Sequence, residues 1–144
     1  MTAETLADPV TGANVEQSVP FFCVGNMEAS LRYYVEGLGF KMTNKWVVNG
    51  EVRWCWLQYG GAALMLQDCL KNKSLTGKPG EGMCIYFICK DALAIYREVT
   101  ARGIAARRPF VGNSMWVMGL TDPDGYKLYF ESPTDAPEET EYSE

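Results

Sequence analysis

The fold is decided by the stretch Val19-Pro20-Phe21-Phe22-Cys23-Val24-Gly25-Asn26-Met27-Glu28-Ala29-Ser30-Leu31-Arg32-Tyr33-Tyr34, which runs on to Leu38-Gly39-Phe40. It opens with an apolar run of strand length. From Asn26 onward Leu31, Tyr34, Val35 and Leu38 recur at i, i+3, i+4 and i+7, the spacing that puts apolar side chains on one face of a helix. Asn26 is the residue type that caps a helix N-terminus, and Gly37 and Gly39 supply the stop. Working outward, Lys41–Val48 and Glu51–Tyr59 flank Asn49-Gly50, a dipeptide suited to the positive φ angles of a tight hairpin. Gly60-Gly61 then separates Glu51–Tyr59 from Ala62–Gln67, which predicts a second hairpin and a β-α-β-β-β unit.

The same order recurs downstream. Met83–Cys89 reads as a strand, and Asp91–Gly103 as a helix with Ala92, Tyr96 and Val99 on one stripe. Met115–Leu120 and Tyr126–Phe130 read as strands joined by Asp122-Pro123-Asp124-Gly125. At a constant offset Gly39 falls on Gly103, Gly61 on Gly125, Met65 on Tyr129 and Gln67 on Glu131; one residue further on, Val24 falls on Cys89 and Asn26 on Asp91. Punctuation and apolar pattern repeat together, which marks an internal duplication. The predicted class is α+β, with two tandem βαβββ modules forming a cupped mixed sheet. One domain is expected over 17–133, with module one at 17–68, a glycine- and lysine-containing linker at 69–82, and module two at 83–133. Residues 1–16 read as a flexible arm, and 134–144 as a disordered acidic tail. One helix per module covers one sheet face, so the other faces meet water, each other or a ligand; a cleft between the modules is the expected small-molecule site.

Composition narrows the chemistry. The 144 residues include no histidine, which removes histidine general bases, Ser-His-Asp machinery and His-containing metal sites. Thirteen basic against 18 acidic residues give a net charge of −5 without a basic stripe, which disfavours nucleic acid and anionic membranes. No apolar run approaches the roughly 20 residues of a membrane span, and the acidic N-terminus lacks a signal-peptide pattern, so the expected location is the cytoplasm. Cys23, Cys55, Cys69, Cys84 and Cys89 form no CxxC pair and read as reduced packing residues.

The opening stretch through Tyr34, with Leu38-Gly39-Phe40, resembles the start of vicinal oxygen chelate proteins: glyoxalase I, extradiol dioxygenases and bleomycin resistance proteins. Asp122-Pro123-Asp124-Gly125-Tyr126, followed by Leu128, Phe130 and Glu131, is similar to that superfamily's closing hairpin. The resemblance covers about residues 18–133. It implies paired βαβββ modules, often in a homodimer, and in the enzymes a metal held by His, Glu or Gln from the first and last strands of each module. Carried over by motif, those positions are Val19, Met65, Cys84 and Tyr129, none of them a hard-metal ligand. Shifting by two along the same faces gives Gln67 and Glu131 as an oxygen pair, which equally read as rim residues solvated or paired with Arg53 or Lys127. Pro20 fits the bleomycin-resistance branch, and fits edge-strand chemistry as well.

Period-two alternation sets Trp54 and Trp56 on one face with Met65 toward the cup, and Phe21, Tyr86 and Tyr129 are candidates on the matching second-module surface, with Trp116 behind them. Together with Gln67 and Glu131 they form the candidate ligand-binding set. Such a set stacks on planar groups and holds cations over indole faces, and it equally fits filling a cup or a dimer interface. Two functions follow. One is a metal-independent protein, without cofactor or catalytic residue, that sequesters a small aromatic or cationic compound as an antibiotic-resistance protein would. The other is a lyase, isomerase or dioxygenase with an atypical metal site. A regulatory module with a collapsed cup is a third arrangement.

Overall fold

A computed structural model describes residues 4–8, 12–70 and 77–144; parts of the expected arm and linker lie outside them. Strand β1 (Phe21–Val24) leads into helix α1 (Met27–Leu31), which continues as a π-helical segment over Arg32–Gly37. The Asn26 side chain accepts from Ala29 N at 3.0 Å, as its cap role requires. β2 (Lys41–Val48), β3 (Glu51–Tyr59) and β4 (Ala62–Asp68) follow, and the sheet order is β1-β4-β3-β2, with β1 parallel to β4. Module two repeats this with β5 (Cys84–Ile88), α2 (Ala92–Ala101), β6 (Phe110–Gly112), β7 (Met115–Thr121) and β8 (Lys127–Pro133), ordered β5-β8-β7-β6. Asp91 caps α2 through Ala94 N at 3.0 Å, and Gly39 and Gly103 share positive φ angles of 93° and 86°. The duplication is thus present in caps, turns and ladders. The short β6, paired to β7 through three residues, carries no alternation that marked it in the sequence.

Each helix covers the same side of its own sheet. Phe22, Leu57, Leu64 and Leu66 from the first sheet and Met118, Leu128 and Phe130 from the second are buried in one core. At roughly 1.5–3 kcal/mol per buried large apolar side chain, this shared core is the main force holding the modules together. Burial pushes the Cys55 thiol within it up to about 11, which leaves the thiol protonated and inert.

Two readings of the sequence are corrected. Cys23 and Cys69 form a disulfide with a Cα–Cα distance of 5.2 Å, where reduced thiols were expected. Parallel pairing of β1 with β4 sets Cys23 beside Gln67, and the chain leaving β4 brings Cys69 back to it; nothing in the spacing of the two cysteines reveals this. The acidic C-terminal segment is largely exposed but is not a disordered tail. Val111 N donates to Thr140 O at 2.9 Å and Tyr142 N to Pro109 O at 2.8 Å, so the segment follows β6. Tyr142 packs edge-on against Tyr96 and Trp116, burying apolar surface that the acidic composition conceals. No helix among the described residues is long and apolar enough to cross a membrane.

Candidate functional site

Residues paired directly across neighbouring strands project from the same sheet face. On the uncovered face of the first sheet one row runs Phe21, Met65, Trp56, Asn44, and the next runs Cys23, Gln67, Trp54, Trp46. Trp54, Trp56, Met65 and Gln67 therefore share a face, as the alternation predicts. Phe21 belongs to this face, beside Met65, and not to the second module's surface where it was expected. Trp46 joins the set without having been foreseen, because register shifts between Met42 and Asn44 and between Trp46 and Val47 break the period along β2. Trp46 is 57% exposed and Phe21 46%, while Trp54 and Trp56 are half-buried. Trp56 Nε1 donates to Gln58 Oε1 at 2.9 Å, and Gln58 Nε2 donates to Gly60 O at 2.8 Å, which fixes the indole against the β3–β4 turn.

The second sheet presents Tyr86, Tyr129 and Gly119 in one row, and Ile88, Glu131, Val117 and Phe110 in the next. Tyr86 and Tyr129 stack with centroids 4.9 Å apart and planes 18° off parallel. The Tyr129 ring lies over Gly119, where any Cβ would come within 2.9 Å of it, so glycine is required for this approach. Burial, then the neighbouring Cys84, Tyr129 and Glu131, push the Tyr86 phenol above its ordinary value, keeping it a neutral hydrogen-bond donor. Tyr86 is 51% exposed and Ile88 68%, a large apolar exposure for one short strand. Trp116 points the other way. It pairs with Ser132, in phase with Met118 and Phe130 on the helix-covered side, and packs against Tyr142.

The shared core joins the helix-covered faces of both sheets, so the two uncovered faces form outer surfaces of the chain. The sequence that builds these duplicated βαβββ modules matches a family model, the glyoxalase/bleomycin resistance protein/dioxygenase superfamily, over residues 16–130. The chain belongs to that superfamily. Among solved structures it is similar to TnmS3, an antibiotic binding protein from Streptomyces sp. CB03234, at 19% identity and TM-score 0.68, over 85% of this chain and 99% of that one. TioX from Micromonospora sp. ML1 aligns at 17% identity and TM-score 0.64, over 83% and 99% of the two chains. A superfamily member from Sphaerobacter thermophilus DSM 20745 aligns at 21% and 0.65, over 82% and 97%. No curated protein sequence matches the chain.

Some members of this superfamily hold a metal, and the donor set here does not fit one. Val19 lies ahead of β1, Met65 faces Phe21 and Trp56, Cys84 starts β5 next to Lys127, and Tyr129 stacks on Tyr86. None offers the carboxylate, imidazole or amide oxygen that a hard divalent ion needs. Gln67 and Glu131 stand on separate sheets, opposite Trp54 and Val117. Of the two alternatives foreseen for them, solvation or pairing with Arg53 or Lys127, the pairing does not form: Arg53 reaches Asp68 at 4.0 Å on the helix-covered side, and Lys127 Nζ donates to Thr121 Oγ1 at 3.2 Å. Among the described residues no three acidic or cysteine side chains cluster closely enough to hold a metal ion.

Proposed function

We propose that this superfamily member is a metal-independent binding protein that sequesters a small aromatic or cationic compound. The observation that carries the reading is the continuous aromatic lining of two outward sheet faces: Phe21, Trp46, Trp54 and Trp56 on one, Tyr86 and Tyr129 on the other. Indole and phenol faces attract planar rings by stacking and cations through the ring quadrupole, each worth about 0.5–2 kcal/mol. Gln67 and Glu131, one row beyond, add a hydrogen-bonding amide and a carboxylate that complements a positive charge. TnmS3 is described as an antibiotic binding protein, which favours a ligand of this kind.

A second copy completes the site. Because the helix-covered faces share a core within the chain, the first open face of one chain meets the second open face of its partner about a two-fold axis, giving two equivalent clefts per homodimer. Burying Phe21, Trp46, Tyr86 and Ile88 in this way removes apolar patches that a monomer leaves in water. Residence in the cytoplasm is a separate proposal. Alkylation in intact cells tests it: labelling of Cys23 and Cys69 would place the chain in a reducing compartment, and protection by their disulfide in an oxidising one.

Titrating tryptophan fluorescence with a planar aromatic cation such as acridinium, in chelator-treated protein, tests the binding reading. Saturable quenching that weakens about ten-fold in Trp56→Ala is expected, the size of one lost stacking contact. Stoichiometric retention of a transition metal that disappears in Gln67→Ala or Glu131→Ala would overturn it in favour of an enzyme.

A further inference from the structure

Duplication gives the chain two equivalent junctions between modules, and its own side chains fill only one. At the filled junction Tyr126 stacks on Phe22, with centroids 4.1 Å apart and planes 1° off parallel, and its hydroxyl donates to the Cys23 carbonyl at 2.8 Å. Phe22 is 1% exposed as a result. The linker closes over the ring at Gly80, whose φ of +75° and approach to Tyr126 exclude a side chain.

The ladders identify the corresponding residues at the other junction. Phe22 pairs with Leu66 as Phe87 pairs with Phe130, so Phe87 stands for Phe22 and Ile88 for Cys23. Tyr59 pairs with Ala62 across its turn as Asp122 does with Tyr126, so Ala62 stands for Tyr126. At this second junction the ring is therefore missing. Ala62 and the side-chain-free Gly60-Gly61 turn face α2 across a cavity of about 900 Å³, whose floor includes Phe40, Phe87, Ile95 and Phe130. Phe87 stays half-exposed although it points to the helix-covered side, and a Cβ on Gly60 or Gly61 would meet no atom within 4 Å. The volume is in the range of small-molecule sites.

We propose that this cavity, which lies on the helix-covered side of the second sheet and meets the open face only along the β5 edge at Cys84, Tyr86 and Ile88, is a second ligand site for an aromatic ring that bears a hydroxyl or amino donor. The ring takes the place that Tyr126 holds in the duplicate junction, stacking on Phe87 and donating to the Ile88 carbonyl on the edge of β5. Asp91 and Glu98 outnumber Lys90 at the rim, which favours an amine over a carboxylate on the ligand.

Amide chemical shifts of the full chain titrated with phenol, aniline, toluene and benzoate test this. Phenol and aniline move the amides of Ile88–Asp91 and Ala94–Glu98 saturably, toluene binds about five-fold more weakly, the effect of one neutral hydrogen bond, and benzoate moves none of them. Ala62→Tyr, which restores the missing ring, abolishes the phenol response; Ala94→Phe fills the cavity from α2 and does the same should the first variant not fold. Absence of saturable shifts with phenol, equal affinity for toluene, a saturable response to benzoate, or undiminished phenol binding in a folded filled variant overturns the assignment.

Discussion

The junction at the start of α1 and its duplicate at the start of α2 inherit one frame and use it oppositely. In the first, the Asp122–Tyr126 turn reaches across to the other module: Tyr34 Oη donates to Asp122 Oδ2 at 2.8 Å, and Gly25 N donates to Asp124 Oδ1 at 3.0 Å. Asp122 Oδ1 in turn accepts from the backbone N–H groups of Asp124 and Tyr126, which holds the turn rigid. In the second, Gly60-Gly61 makes the tighter turn with no side chain to offer, and space remains. A duplicated fold can thus spend one copy of a contact on stability and leave the other open for a ligand, while the two sheets keep the same register.

Substitutions at the two junctions should separate accordingly. Tyr126→Ala has the largest expected effect, a loss of about 4 kcal/mol in urea denaturation, because it removes a buried ring and its hydrogen bond together. Tyr34→Phe keeps the ring but strips a donor from the buried Asp122 carboxylate, and should cost about 2 kcal/mol by the same measurement.

Asp124 provides a pH signature of the filled junction. Burial pushes its carboxyl above the ordinary 3.8 despite the bond from Gly25 N. The folded state therefore binds the proton more tightly than the unfolded chain. The contribution of this group to stability falls as pH rises from about 3.8 through the raised folded value, and is constant above it. In Asp124→Asn that part of the pH slope should vanish. At the open junction Ala62→Tyr should change stability least, by about 1 kcal/mol or less, since it enters existing space. A Tyr126→Ala effect as small as that of Ala62→Tyr would erase the distinction between the junctions.

Much of this architecture was legible in the residues. Asn26 and Asp91 as caps, Gly39 and Gly103 as stops, and the alternation around Trp54 and Trp56 each report local backbone preferences, and the structure follows them. What escaped depends on distant pairing. The Cys23–Cys69 bridge, the docking of Tyr142 on Tyr96 and Trp116, and the placement of Phe21 beside Met65 are set by which strands become neighbours. Trp46 escaped for a different reason, since the register shifts in β2 break the period that identified Trp54 and Trp56. The sharing of one face by Trp54 and Trp56, and the residue types at Val19, Met65, Cys84 and Tyr129, could be read without the fold; the membership of Phe21 and Trp46 and the outward direction of the two faces could not.

That outward direction makes the shared cleft of a homodimer the central claim, and a mixing experiment with acridinium as ligand tests it most directly. Trp56→Ala damages the first open face and Tyr129→Ala the second, so each homodimer alone should bind poorly. If each cleft pairs the first face of one chain with the second face of the other, exchanging subunits between the two variants creates one intact cleft per mixed dimer. About one quarter of all clefts then recover wild-type affinity. No recovery after demonstrated subunit exchange would contradict the account.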